Sequence, residues 1–555
     1  MFLKSLRLNC KYGTSIRHYT KKADKILPAT NTLSWDTRVP VKLRMEDTAP
    51  GNLPPIRVQS MVRNTVEKHG SNTAMVSYDL KDKWTYDEYF EDIQKVAKGF
   101  LALGLEPSNG VGIMSYNNPQ WFLSSMGAIF AGGLSTGIYT TNSPTTVKYI
   151  VDHAPLDIMV LENESILQEL LEDQPDLKDM VKNFVLINGQ DPRAATWSEM
   201  LEEGSQIDNK RLEEIEDKTA VNQACMLVYT SGTTGPPKGA MISHDNVTWS
   251  SKIAMDHYGW DQVRILSYLP LSHVAGCMID CYMGCHTGSE VHFADKDALK
   301  GTLVENLKRV RPTRFYGVPR VFEKIAEKMQ EVGRSNTGLK KKIGDWAKTT
   351  ATQHHTDVRN GVKNDSLGYK VAQKLVFSKV HEALGLEQVR KYPHALASAA
   401  APLNIDTHKY FESLDLEIIE FYGATEASGP QTTNLSGTLN RPGSVGHDYL
   451  GVHNKILHPD PEGLGEVAVR SRNIFMGYHK NQEKTLESFE DDWFRSGDLG
   501  KIDQDGFLWL TGRLKELLIT SGGENIAPVP IENNILAELP RVLSTVVVIG
   551  NFSRL

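Results

Sequence analysis

Cysteine is scarce, five in 555 residues and an odd number, which excludes a disulfide framework as the basis of the fold. Long apolar runs are missing too. No stretch approaches the ~18 consecutive apolar residues of a membrane-spanning helix. The most apolar segment, Trp121 to Tyr139, is broken by serine and glycine and reads as a buried helix followed by a strand. Positive charge is not in excess: 61 Lys and Arg stand against 68 Asp and Glu, a net charge of −7. That argues against a general nucleic-acid binder, which presents a basic face. Glycine (44) and proline (25) are too few and too scattered for collagen or a low-complexity linker, and no solenoid-type repeat is evident. A hydrophobic content of 40% excludes a disordered chain. The length allows about three to five domain-sized units.

Three of the cysteines, Cys277, Cys281 and Cys285, recur every four residues, which stacks them on one helical face. Zinc is conceivable there, but the tight C-x-x-C pairing of common zinc sites is absent, so small buried thiols on a core face are the stronger reading.

Residues 1–23 differ from the rest. They carry Lys4, Arg7, Lys11, Arg17, Lys21 and Lys22, with no acid before Asp24. A basic, serine-containing, acid-poor and weakly amphipathic start is the pattern of a mitochondrial presequence, and no apolar segment follows the charges as a secretory signal requires. The expected location is therefore mitochondrial. A solvated basic tail touching anionic lipid is the alternative, with the cytoplasm or the surface of the endoplasmic reticulum as the location.

Residues 24–60 are proline-rich and irregular. From about 61 to 220, short apolar runs such as Val111 to Met114 and Asp157 to Leu161 alternate with amphipathic helical patterns, which predicts parallel β/α units. Residues 221–325 repeat the theme, with strands expected at Ala224 to Tyr229 and Ile265 to Leu269. Residues 326–390 are charged and helical in pattern. The basic knot Lys340-Lys341-Lys342 allows a peripheral membrane contact there, with a solvated helical face as the plainer reading. Strand character returns after 390, at Ile456 to Val469 and Phe507 to Leu510, and a linker-like point falls near Gly512.

The densest chemistry lies at Tyr229-Thr230-Ser231-Gly232-Thr233-Thr234-Gly235-Pro236-Pro237-Lys238-Gly239. Glycines let backbone N–H groups turn toward an anion, hydroxyls donate to phosphate oxygens, and a lysine neutralises charge. It is not a Walker A loop, which needs G-x4-G-K-[ST] and a helix starting at the lysine. Two prolines before Lys238 and a glycine after it forbid that. An ordinary surface turn rarely carries so many of these groups at once.

This string resembles the phosphate loop of the adenylate-forming superfamily, the AMP-binding acyl-CoA synthetases, luciferases and adenylation domains. Four further segments match that family in order. Tyr268 to His273 resembles its acyl-site motif, Tyr422-Gly423-Ala424-Thr425-Glu426 its adenine and magnesium motif, and Ser496-Gly497-Asp498 its ribose motif. Gly512 to Glu516, running into Gly522-Gly523-Glu524-Asn525, resembles its hinge and thioester loop. Within the family, Phe293 to Leu303 and Gly317 to Lys324 look most like the long-chain and very-long-chain synthetases, in particular the bubblegum branch.

The resemblance implies an α/β fold: a large domain of two β/α subdomains plus a distorted β-barrel, then an incomplete small α+β domain. The expected divisions are a targeting segment 1–23, an irregular segment 24–60, an adenylation domain 61–512, and a hinge with a shortened second domain at 513–555. It implies a long-chain fatty acid–CoA ligase using ATP, Mg²⁺ and CoA, with fatty acid as the other partner. Lys238 with Thr230, Ser231, Thr233, Thr234 and the loop glycines Gly232 and Gly235 would hold the β- and γ-phosphates. Glu426 would ligate Mg²⁺, Thr425 contact the α-phosphate, and Tyr422 and Gly423 border adenine beside Ser398 to Pro402. Asp498 would accept from both ribose hydroxyls, Arg513 reach ribose or phosphate, His273 lie at the acyl–adenylate junction, and Lys515 act at the hinge. The chain departs from the family twice. The segment after Ser398 lacks the family's usual glycine. No residue after the hinge takes the place of the family's distal lysine, which raises the alternative of a catalytically impaired ATP- or fatty-acid-binding protein.

Overall fold

The structure, a computed structural model, describes residues 24–230 and 236–516, and after that only 518–519, 525–526, 531–532, 535 and 546–548. The presequence-like segment, Ser231 to Gly235 and Gly522 to Glu524 lie outside the described residues.

The first body is built around a parallel core of four strands, Leu134–Gly137, Gly110–Met114, Leu156–Leu161 and Asn183–Leu186. These strands read as near-continuous apolar runs because helices cover both faces. Successive side chains of one strand therefore enter different cores: Ile158 and Val160 one, Met159 and Leu161 the other. The segment from Trp121 to Tyr139 forms the expected helix and strand. Helix Pro119–Phe130 buries nearly every side chain, as an all-round apolar helix must. It starts cleanly because the Asn118 side chain accepts from the Trp121 N–H at 2.8 Å and Pro119 occupies the first turn.

One edge of this sheet turns antiparallel. Strand Ala224–Thr230 pairs in parallel with Leu134–Gly137 and then folds back onto Lys238–Ser243, placing Thr230 opposite Lys238. The outermost strand, Gly477–Tyr478, comes from far along the chain and sets Tyr478 opposite Ala240.

The second body joins two sheets. One runs Phe315–Gly317, Leu396–Ser398, Ile419–Ala424, Gly429–Thr433 and His447–Asp448. The other contains Arg264–Ser267, Glu290–Phe293, Thr73–Val76 and Lys83–Thr85, and a bridge between Ile265 and Arg314 links them. The third body is a twisted antiparallel sheet of Val452–Leu457, Gly465–Ser471, Trp493–Ile502 and Leu508–Arg513. The expected two β/α bodies and barrel-like third are thus present. Beyond Glu516, Leu518–Ile519 pairs with Asn525–Ile526.

Some elements differ in detail from the sequence expectation. The strand at Ile265 ends at Ser267 because Pro270 removes a donor and restricts Leu269. The run from Ile456 to Val469 is two strands, split at a turn where Gly463 takes φ 82°. The helix carrying Cys277 and Cys281 is a π-helix, Cys277–Met283, and all three stacked cysteines are buried core thiols. The irregular segment after residue 24 is tied down by buried charge. Arg472 grips both oxygens of Asp245 at 2.9 and 2.7 Å and donates to the Gly51 and Leu53 carbonyls.

Candidate active site

The fold brings Lys238, Glu426, Asp498 and Arg513 within electrostatic reach of one another. Lys238 opens the second arm of the edge hairpin, directly across from Thr230, whose hydroxyl lies 3.5 Å from the Lys238 carbonyl. The phosphate-loop string runs between these two residues in sequence. Its members Ser231, Gly232, Thr233, Thr234 and Gly235 lie outside the described residues, so geometry bears only on the two residues that frame it.

The Lys238 ammonium sits over the Tyr478 ring, 3.9 Å from its centroid. Desolvation lowers the Lys238 pKa, Glu426 opposes that, and Lys515 adds to it. These couplings place Glu426 and Lys515 in the same electrostatic neighbourhood. Glu426 lies in a single 3₁₀ turn, Thr425–Ala427, with Thr425 buried beneath it. The Tyr478 hydroxyl donates to Glu426 Oε1 at 2.5 Å. Burial and the nearby Glu426 charge drive the Tyr478 pKa far up, so the phenol stays a donor. Tyr478 thus touches both the cation and the carboxylate that the sequence motifs single out, yet it belongs to none of the motifs.

A second polar group lies beside the first. The Tyr422 hydroxyl donates to Asp498 Oδ2 at 2.6 Å, and Arg513 Nε lies 3.3 Å from Asp498 Oδ1. Asp498 reaches this position through a bulge. Glu466 pairs with Leu499 and Ala468 with Arg495, so three residues on one strand oppose one on the other. Gly497 supplies the left-handed φ of 75° that the bulge requires. Arg513 stands directly opposite Asp498 in the next strand pair. Burial raises the Asp498 pKa, and the Tyr422 hydroxyl and Arg513 pull it back. Gly423 has a steric reason to be glycine: a Cβ there would come within 2.3 Å of the Gly429 carbonyl oxygen.

His273 caps a short helical turn, its Nδ1 accepting from the Ala275 N–H at 3.1 Å. The residue is exposed, but the surrounding protein still desolvates its ring and lowers its pKa. A neutral ring that accepts at Nδ1 carries its proton on Nε2, which leaves one outward donor. Among the described residues, no hydrogen bond or ion pair joins His273 to the Lys238–Glu426 group. Behind it, Tyr268 is buried and donates to the Tyr316 carbonyl at 2.7 Å.

The segment expected to border adenine departs from ordinary geometry. Ala400 takes φ 76°, the left-handed region that glycine enters freely and alanine does not. Among the described residues no group of three His, Cys, Asp or Glu forms an all-protein metal cage. A lone Glu426 nonetheless fits Mg²⁺, which keeps several waters and binds through one or two carboxylates plus substrate phosphates.

The family model described as AMP-binding enzyme matches residues 62–479. The chain is 41% identical to the long-chain-fatty-acid–CoA ligase ACSBG2 of Xenopus laevis, over 95% of this chain and 72% of that protein. It is 38% identical to the long-chain-fatty-acid–CoA ligase ACSBG1 of Rattus norvegicus, over 97% and 76%. In fold it is similar to the anthranilate CoA ligase AuaEII in complex with anthranoyl-AMP, with a TM-score of 0.66 at 19% identity, covering 87% of this chain and 82% of that one. With a family match across three-quarters of its length and bubblegum-branch relatives along almost all of it, the chain belongs to the AMP-binding, adenylate-forming enzyme family.

Proposed function

We propose that the protein is an AMP-forming long-chain fatty acid–CoA ligase. A fatty carboxylate oxygen attacks the α-phosphorus of ATP, and the bond to pyrophosphate breaks. The thiol of CoA then attacks the acyl carbonyl, loses its proton, and expels AMP. Carboxylate and triphosphate repel each other, so the first step needs positioning and charge neutralisation more than acid–base chemistry. Lys238, held half-buried on Tyr478, supplies positive charge beside the phosphate loop. Glu426 would hold Mg²⁺, which when bound screens the phosphate oxygens. Asp498 accepts from the ribose hydroxyls, Tyr422 and Arg513 orient it, and Thr425 lies beneath the α-phosphate position. His273 offers its Nε2–H to an oxygen at the acyl–phosphate junction.

The observation that carries the reading is the convergence of Lys238, Tyr478 and Glu426 beside the Tyr422–Asp498–Arg513 group. The relatives' names supply the fatty acid and CoA. The test is to incubate the chain with palmitate, ATP, Mg²⁺ and CoA and to quantify acyl-AMP and acyl-CoA by chromatography. Enzyme-like turnover to palmitoyl-CoA is expected. Neither product, from folded chain that binds ATP, would reject the reading in favour of a silent binding protein. For location we propose mitochondrial import through residues 1–23; unchanged distribution of a tagged chain lacking them would reject it.

A further inference from the structure

A third of the large apolar side chains exposed on the described surface fall between residues 332 and 375. They are not scattered. Helix Gly338–Arg359 and the helical run from Leu367 to Leu384 form a hairpin, closed by Ala347, Ala351, Ala372 and Phe377. Leu339, Ile343 and Trp346 stand at i, i+4 and i+7 on the first helix, continuing outward the stripe that Ala347 and Ala351 bury farther along. Leu367, Val371 and Leu375 stand at i, i+4 and i+8 on the second. Leu339 is 74% exposed and Leu367 80%. The stripes meet: a Cβ on Gly368 would lie 3.8 Å from the Trp346 ring.

The hairpin is fixed to the body near its turn. His355 and Tyr369 both bond Asp415, the latter at 2.6 Å, and Arg359 pairs with Glu412. With the hairpin anchored there, both apolar stripes remain exposed.

What surrounds them is cationic. Lys340, Lys341, Lys342, Lys363, Lys370 and Lys374 are all exposed, and none forms an ion pair with another described residue. The acids between 338 and 376 are Asp345, Asp357 and Asp365, and Asp357 is engaged by Gln353 and Asn364. Leucines and a tryptophan flanked by free lysines match an interfacial surface whose aliphatic tips enter the acyl boundary while the ammonium groups reach phosphates. A second copy of the chain would bring its own lysines against these, which like charge disfavours.

We propose that this hairpin face is a docking surface for an anionic phospholipid bilayer. It is independent of the ligase reading. The test is co-sedimentation of the full chain with vesicles of phosphatidylcholine alone or with about a third phosphatidylserine, at low and raised salt. Trp346 emission is read as the difference between the chain and Trp346→Phe. Expected are binding to the anionic vesicles that raised salt weakens, a blue shift of Trp346, and an at least tenfold loss of binding in both Leu367→Glu/Leu375→Glu and Lys340→Glu/Lys341→Glu/Lys342→Glu. All five positions are exposed, and unchanged melting of the variants checks their fold. No binding to anionic vesicles, no Trp346 shift, or binding that neither variant weakens (as the basic residues 1–23 acting alone would give) would overturn the proposal. So would light scattering, without vesicles, showing an oligomer that Leu367→Glu/Leu375→Glu dissolves.

Discussion

Tyr478→Phe separates two jobs that one side chain performs. The hydroxyl donates to Glu426 at 2.5 Å, while the ring carries the Lys238 ammonium at 3.9 Å. Phenylalanine keeps the ring and deletes the donor. The backbone is held independently, through the Thr485 hydroxyl at 2.9 Å and the strand pairing with Ala240, so the fold survives. A hydrogen bond to a charged group contributes about 1.5–3 kcal/mol. Removing a partner that orients a metal-binding carboxylate costs about 10–100-fold in metal affinity or activity. The assay is a Mg²⁺ titration of the adenylation half-reaction, followed by exchange of labelled pyrophosphate into ATP. Tyr478→Phe should need about 10–100-fold more Mg²⁺ for half-maximal rate, with the rate at saturating Mg²⁺ largely recovered. Tyr478→Leu, which also removes the ring, should in addition raise the KM for ATP, because Lys238 loses its platform. An unchanged Mg²⁺ dependence in Tyr478→Phe, or identical behaviour of the two variants, would refute the reasoning.

Other perturbations follow from the same contacts. Lys238→Ala and Glu426→Ala should each depress pyrophosphate exchange by orders of magnitude while thermal melting stays near that of the parent. Arg472→Ala strands Asp245 in the core, both side chains being 1% exposed, and should cost about 3–5 kcal/mol, read as a lowered melting temperature that Arg472→Lys does not restore. Ala400→Gly relieves the left-handed φ and should gain about 0.5–1 kcal/mol after the added freedom of the unfolded chain is subtracted; a lower denaturation midpoint would contradict the strain argument. Burial pushes the Asp280 carboxyl up to about 8, with the Ser267 hydroxyl opposing. Between about pH 4 and 8 the folded chain therefore binds a proton that the unfolded chain has released, so stability falls as pH rises across that window. Asp280→Asn should flatten that slope in denaturation measured from pH 4 to 8.

Much of the fold is legible in the sequence because its parallel strands are buried on both faces and read as unbroken apolar runs. Leu156–Leu161 is visible for that reason. The Ser496-Gly497-Asp498 turn is legible because its need is local: the bulge takes a left-handed residue at Gly497, beside Asp498. Tyr478 is not legible in the same way. It sits in a two-residue strand, Gly477–Tyr478, and gains its role only when that strand reaches the sheet edge beside Lys238, more than two hundred residues earlier. The one available signal was an aromatic after Ile474-Phe475-Met476, which reads equally well as core. The π-helix at Cys277–Met283 is hidden too, because a four-residue repeat of small thiols fits an α-helical face as readily as a wider turn. The lack of glycine after Ser398 was legible, but its consequence, φ 76° at Ala400, needed the backbone.

The polar groups of the candidate site are already paired with one another, and counting acceptor sites decides whether that would help or hinder a nucleotide. An ionised carboxylate offers about four lone-pair sites. Asp498 gives one to the Tyr422 hydroxyl and one to Arg513, which leaves two for the two hydroxyls of a ribose. Tyr422 therefore need not release Asp498 for the sugar to bind. Glu426 likewise gives one site to Tyr478, which leaves the rest of its carboxylate for the proposed cation. Each acid is held in orientation by a donor that leaves acceptor sites over, so on the proposed function little reorganisation would remain when a nucleotide enters. Both tyrosines stay un-ionised for a separate reason. Burial beside the acids drives each phenol far above its usual range. A deprotonated phenol at 2.5 Å from a carboxylate would repel the group it now positions.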